Sequence, residues 1–122
     1  MSYVLVVDDE PPMRRLLARW LEAWGYAVKE AGTATEALET LTAEPASIVL
    51  CDIKMPEHDG LWLVERVRAR WPKTAIIMTT GVQDVQTVIK TRQEGVVDYV
   101  TKPVGRELLS QALCRAAATL EA

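Results

Sequence analysis

Short runs of apolar, mostly β-branched residues recur along the chain, separated by longer stretches whose apolar residues fall at helical spacing. YVLVV (3–7), SIVLC (47–51) and AIIM (75–78) show almost no polar alternation, and VVDYV (96–100) shows little. A strand with one wet face alternates apolar and polar residues. Runs apolar on both faces belong to a parallel sheet covered by helices on either side. AVKEA (27–31) alternates more and is expected at a sheet edge.

The intervening stretches carry helix signals. Pro11 and Pro12 open the first, where a missing backbone N–H costs little. Met13, Leu16, Leu17, Trp20, Leu21 and Trp24 then form an apolar stripe before Gly25 stops it. TATE (33–36) is a capping box, with Thr33 as N-cap and Glu36 reaching back, and its helix turns Ala37, Leu38 and Leu41 inward. A third helix, with Leu61, Val64 and Val67 inward, runs to about Arg70. Residues 83–94 predict a more polar helix closed by Gly95. The last helix is expected to bury Leu108, Leu109, Ala112, Leu113 and Ala116.

Five strands alternating with five helices imply an α/β, doubly wound, flavodoxin-like parallel sheet of order 2-1-3-4-5 with helices on both faces. The 122 residues fit a single domain, 1–122, with no internal linker or repeat. A formal net charge of -3 argues against direct nucleic-acid binding, and Arg14, Arg15 and Arg19 are expected on a solvated helix face. The apolar runs are too short to span a membrane, and the amino terminus enters a strand without a signal-like segment. Cys51 and Cys114 fit no disulfide framework or zinc motif, so a reducing cytoplasm is expected, with both thiols buried.

The strand ends carry the chemistry. Asp8 and Asp9 follow the first strand, Asp52 the third, Thr79 and Thr80 the fourth, and Lys102 the fifth. In the order 2-1-3-4-5 these positions converge on one rim, beside the switch point where such sheets bind ligands. Three carboxylates there repel one another, and a hard divalent cation with oxygen ligands relieves the repulsion. Mg2+ suits the set, keeping waters and carrying a phosphate. Asp8 and Asp9 as a mere capping pair at a positive helix end would leave Asp52 and Lys102 without a role. His58, with no second histidine or cysteine near it, is expected to be a surface residue.

VVDDE, CDIKMPEHDG, MTTG and DYVTKP, each at the end of the appropriate strand, resemble the motifs of the CheY-like response-regulator receiver domains of bacterial two-component signalling. The resemblance covers essentially the whole chain. It implies that Asp52 accepts a phosphoryl group from a sensor histidine kinase or phosphotransfer protein. Asp9, Asp52 and the backbone carbonyl of Lys54 would ligate Mg2+ directly, with Asp8 acting through water. Thr79, Lys102 and the Thr80 amide would hold the phosphoryl oxygens, and Tyr99 would be the aromatic switch. The Lys102–Pro103 bond would be cis. The fourth helix, fifth strand and fifth helix would present the output surface to an output domain or partner protein. A phosphorylation-dependent homodimer would place Asp98 against Lys90 or Arg115. Hydrolysis would be slow, because the side chains two residues after Asp52 and Thr79 are Lys54 and Gly81.

A second reading is a small Mg2+-dependent phosphohydrolase with an aspartate nucleophile. The haloacid-dehalogenase-type phosphatases place a second aspartate two residues after the nucleophile. Here that position is Lys54, which at neutral pH is no acid–base equivalent.

Overall fold

The computed structural model describes residues 2–121. In chain order the elements are β1 (Val4–Val7), α1 (Pro11–Ala23), β2 (Val28–Ala31), α2 (Ala34–Ala43), β3 (Ile48–Asp52), α3 (Gly60–Arg70), β4 (Ala75–Thr80), α4 (Val85–Arg92), β5 (Asp98–Thr101) and α5 (Arg106–Glu121). The five strands form one parallel sheet in the order β2-β1-β3-β4-β5.

Alternate residues of the central strands feed two separate cores. Leu5, Val7, Val49, Cys51, Ile76 and Met78 pack with Ala37 and Leu41 of α2 and with Leu63, Val64 and Val67 of α3. Val4, Val6, Ile48, Leu50 and Ile77 pack on the other face with Leu17 and Leu21 of α1 and with Leu109, Leu113 and Ala116 of α5. This two-sided burial explains why the runs lack alternation: each fully buried aliphatic side chain contributes about 1.5–3 kcal/mol, whichever face it occupies. β2 at the edge is half wet, with Lys29 and Glu30 exposed.

Helix phase departs from the expected stripes in several places. On α1 the buried residues are Leu17, Ala18 and Leu21, while Leu16 and Trp24 are exposed. The buried sector is rotated toward Ala18 and the stem of Arg14, because α1 must lie flat on the sheet beside β2. On α3 the deeply buried residue is Leu63 rather than Leu61, which is half-buried. Leu108 is 55% exposed at the open end of α5, and Cys114 is also exposed. Both lie on the solvent side of a helix whose inward line is Leu109, Ala112, Leu113 and Ala116. The Thr33 hydroxyl caps α2 by accepting from the Glu36 amide at 3.0 Å, and the Glu36 carboxylate reaches past it to the Gly32 amide at 3.2 Å.

The fourth helix is shorter than residues 83–94, and Thr91 is its one buried residue. The Thr91 hydroxyl lies 2.7 Å from the Tyr99 hydroxyl, which also donates to the Val88 carbonyl at 3.2 Å. With so little apolar area under α4, this hydroxyl pair is a large part of what ties the helix to β5. Tyr99→Phe is expected to lower stability by about 0.5–1.5 kcal/mol, the usual net contribution of such a bond. Amide exchange should quicken across residues 85–92 more than elsewhere. Exchange unchanged in α4 would show that the bond does not tether the helix.

Candidate functional site

The strands deliver their terminal polar residues to one crevice. Asp8, just past β1, is 1% exposed, and Asp52, the last residue of β3, is 3% exposed. Asp9 stands more open. One carboxylate oxygen from each of the three lies within 4.8 Å of the others. The β3–β4 pairing sets Asp52 opposite Thr79, which is buried in the strand, as is Thr80. From the loop after β5, Lys102 extends its ammonium to 2.9 Å from Asp52 Oδ2. The Lys102–Pro103 peptide bond is cis.

Local contacts fix these groups. Asp8 Oδ1 accepts from the Glu10 amide at 2.9 Å, and the Arg14 guanidinium donates to the Asp8 carbonyl at 2.9 Å. The carboxyl end of β1 is thereby held from α1. The Asp59 side chain caps α3 by accepting from the Trp62 amide at 3.0 Å, and the Gly60 amide donates to the Ile53 carbonyl at 2.7 Å. These bonds fold the loop after Asp52 back onto β3. A cleft between Asp9, Lys54, Met55, Pro56 and Asp59 opens beside the carboxylates. His58 stacks on Trp62 with ring centroids 3.9 Å apart, and Arg66 covers the same indole. It is thus a half-buried packing residue rather than a plain surface one.

Burial governs the electrostatics. It raises Asp52 above the ordinary carboxylate range, and the hydrogen bond and charge of Lys102 only partly oppose it. Burial also raises Asp8, against the Glu10 amide bond that favours its charged form, and the Asp52 charge adds to the rise. For Lys102, burial works against the ammonium. The hydrogen bond and charge of Asp52 outweigh burial and leave Lys102 above its ordinary value. One cation therefore faces three carboxylates. Two buried oxygens in the crevice, Asp8 Oδ2 and Thr79 Oγ1, have no hydrogen-bond partner. A buried polar atom left unpaired costs about 1–3 kcal/mol, so both oxygens are open to a cation or donor entering the crevice.

Residues 4–114 of the sequence match the family model of the response regulator receiver domain. The chain belongs to that family. It is 36% identical over 113 residues to the C4-dicarboxylate transport transcriptional regulatory protein DctD of Rhizobium meliloti, covering 93% of this chain and 25% of that protein. It is 37% identical over 113 residues to the response regulator protein PilR of Pseudomonas aeruginosa, covering 89% of this chain and 25% of that one. This receiver thus spans about a quarter of the length of those relatives. Among solved structures, a CheY-like receiver from Methanospirillum hungatei superposes with a TM-score of 0.91 at 29% identity, covering 99% of this chain and 98% of that one.

Asp8, Asp9, Asp52 and Lys102 are brought together, and Thr79 sits beside Asp52 in register. Tyr99 stands apart from them, turned to α4. Asp98 pairs with Arg115 of its own chain, which competes with the expected pairing across a dimer. Sequence reasoning passed over Gly60 and placed Arg14 on a solvated helix face, whereas its side chain is 17% exposed and bridges Glu30. The Asp59–Gly60 dipeptide was a usable turn signal, whereas nothing along the chain pointed from Arg14 to the Asp8 carbonyl.

Proposed function

We propose that this receiver is a phosphorylatable switch in which Asp52 accepts a phosphoryl group in a Mg2+-dependent reaction. The observation that carries it is the ion pair of buried Asp52 with half-buried Lys102, at 2.9 Å, within a crevice that also holds Asp8 and Asp9. Its hard oxygen donors suit Mg2+. Asp9, Asp52 and the Lys54 carbonyl would hold the ion directly and Asp8 through water. The ion would neutralise carboxylate charge and bind phosphoryl oxygens.

The chain's own residues account for the rest. Asp52 attacks the phosphorus of a phosphohistidine on a sensor kinase or phosphotransfer protein. As its carboxylate oxygen bonds to phosphorus, the P–N bond breaks and the electron pair stays on the imidazole. Lys102 then leaves the carboxylate for a phosphoryl oxygen. The unpartnered Thr79 hydroxyl and the Thr80 amide supply donors to the others. Thr79 moving toward the phosphoryl group shifts β4 beside β5, where Tyr99 is bonded to α4. That couples the site to a loosely held helix, and α4, β5 and α5 form the output face.

The relative DctD is named as a transcriptional regulatory protein and is about four times as long as the matched segment. Residues 1–122 accordingly act as one receiver domain that controls an output domain or partner protein and does not itself touch nucleic acid. No described helix is long and apolar enough to cross a membrane. A cytoplasmic setting gives the site access to its kinase. Phosphorylation favours a homodimer through the output face, and exposed ion pairs there set geometry more than affinity, at about 0–1 kcal/mol each.

The test is incubation with a small acyl phosphate, followed by intact mass. One phosphoryl group per chain is expected with Mg2+, and none in chelator or in Asp52→Ala. Repeated turnover of a chromogenic phosphate ester would instead favour the phosphohydrolase reading.

A further inference from the structure

We propose that Gln83 positions the water that hydrolyses the phosphoryl group on Asp52, an inference that rests on the phosphoacceptor reading above. Gly81 is the first residue beyond β4. Thr79 pairs with Val100 and Thr80 with Thr101, and the Lys102 amide donates to the Thr80 carbonyl at 2.7 Å. Continued one residue past the end of the ladder, that register would set Gly81 opposite Lys102. Residues in register across a parallel sheet share a face, and faces alternate along each strand. A side chain at position 81 would therefore fall on the side of Thr79, Lys102 and Asp52.

Gly81 has no side chain, yet the place is not empty. A Cβ built on Gly81 would lie 2.8 Å from Oε1 and 3.1 Å from Nε2 of Gln83. The Gln83 carboxamide is folded back into the volume that a residue-81 side chain would take. The turn that brings it there is held at both ends. The Gly81 amide donates to Asp84 Oδ2 at 2.7 Å, and the Asp84 amide donates to the Gly81 carbonyl at 3.2 Å. Asp84 is buried. The volume beside Gly81 thus holds a neutral acceptor and donor, although Gly81 alone offers none.

In hydrolysis, a water oxygen bonds to phosphorus while the P–O bond to Asp52 breaks. The electron pair returns to the Asp52 carboxylate, and the water's proton leaves on inorganic phosphate. The Gln83 carbonyl oxygen accepts from that water and fixes its approach, while the amide itself neither gains nor loses a proton. Its contribution is orientation, for which a small misplacement costs as much as about 10²-fold in rate.

The experiment labels the protein with a small acyl phosphate and Mg2+, removes the donor and follows loss of the phosphoryl mass. Gln83→Ala is expected to label fully and to lose phosphate more slowly, by on the order of tenfold. Gly81→Asn placed in the Gln83→Ala background carries its amide atoms about as far from the new Cβ as the Gln83 amide now lies, so it returns a carboxamide to that volume and is expected to restore the rate, which a merely structural role would not produce. If wild-type protein takes no label, the phosphoacceptor reading falls and this inference with it. If wild type is labelled but Gln83→Ala decays as fast or faster, or the carboxamide at position 81 restores nothing, this inference alone is overturned.

Discussion

Asp8→Asn is expected to stabilise the metal-free protein at neutral pH by about 1–4 kcal/mol, the size of one like-charge repulsion at this spacing near a protein surface. Asp8 is buried, one of its oxygens lacks a partner, and oxygens of Asp9 and Asp52 lie within 4.8 Å. Asparagine keeps an acceptor for the Glu10 amide and turns a donor toward the remaining carboxylates. The pH dependence has a definite sign. Burial, foremost, raises both Asp8 and Asp52, so the folded protein holds protons that the unfolded chain releases. Stability of the metal-free protein therefore falls as pH rises from the ordinary carboxylate range through the raised folded values. Asp8→Asn should flatten that fall. Mg2+ should reverse it in the wild type, adding about 2.7 kcal/mol at a hundredfold excess over Kd, and should do much less for the variant. Urea melts at several pH values, with Mg2+ or chelator, measure all of this. A destabilised variant, or equal Mg2+ gains in both proteins, would contradict the electrostatic account.

Gly60→Ala is expected to cost about 1–3 kcal/mol of stability, as overpacking in a filled site does, and to abolish phosphoryl uptake. Gly60 opens α3 where the loop from Asp52 returns to the sheet. A Cβ there would lie 2.5 Å from the Met78 methyl, 2.8 Å from the Asp52 carbonyl oxygen and 3.0 Å from the Ile53 Cα. The methionine end can swing away, but the strand backbone cannot. Relief must come from moving the loop or the end of β3, and either displaces Asp52 from Lys102. The comparison is Gly105→Ala, where an added Cβ meets nothing within 4 Å. Melts and labelling of both variants separate a local clash from a general glycine effect. A Gly60→Ala protein that is labelled normally would mean that the loop absorbs the methyl group without moving Asp52.

The sheet was legible because its central strands are buried on both faces, a condition visible in VLVV and SIVLC without any knowledge of partners. Helix phase was less so. Leu16 and Leu17 look alike along the chain, and only the docking of α1 on the sheet decides that Leu17 turns in and Leu16 out. Leu108 and Leu109 pose the same problem on α5. Strand ends also ran long: β3 continues through Asp52 and β4 through Thr80, because the ladder extends while its polar side chains face a crevice. The candidate site was legible at its charged residues, since unpaired carboxylates at strand ends demand a counter-charge. Gly60, Thr91 and the folded-back Gln83 were not, because each acts through a close approach between separate turns or elements.

The central claim is that phosphoryl chemistry happens on Asp52 and nowhere else in the crevice. Reductive trapping of the freshly labelled protein, followed by peptide mass analysis, locates the acyl phosphate directly. The account predicts a single modified residue, Asp52, formed with Mg2+ and not in chelator. Modification at Asp8 or Asp9, or label on Asp52 of equal yield in chelator, would contradict it.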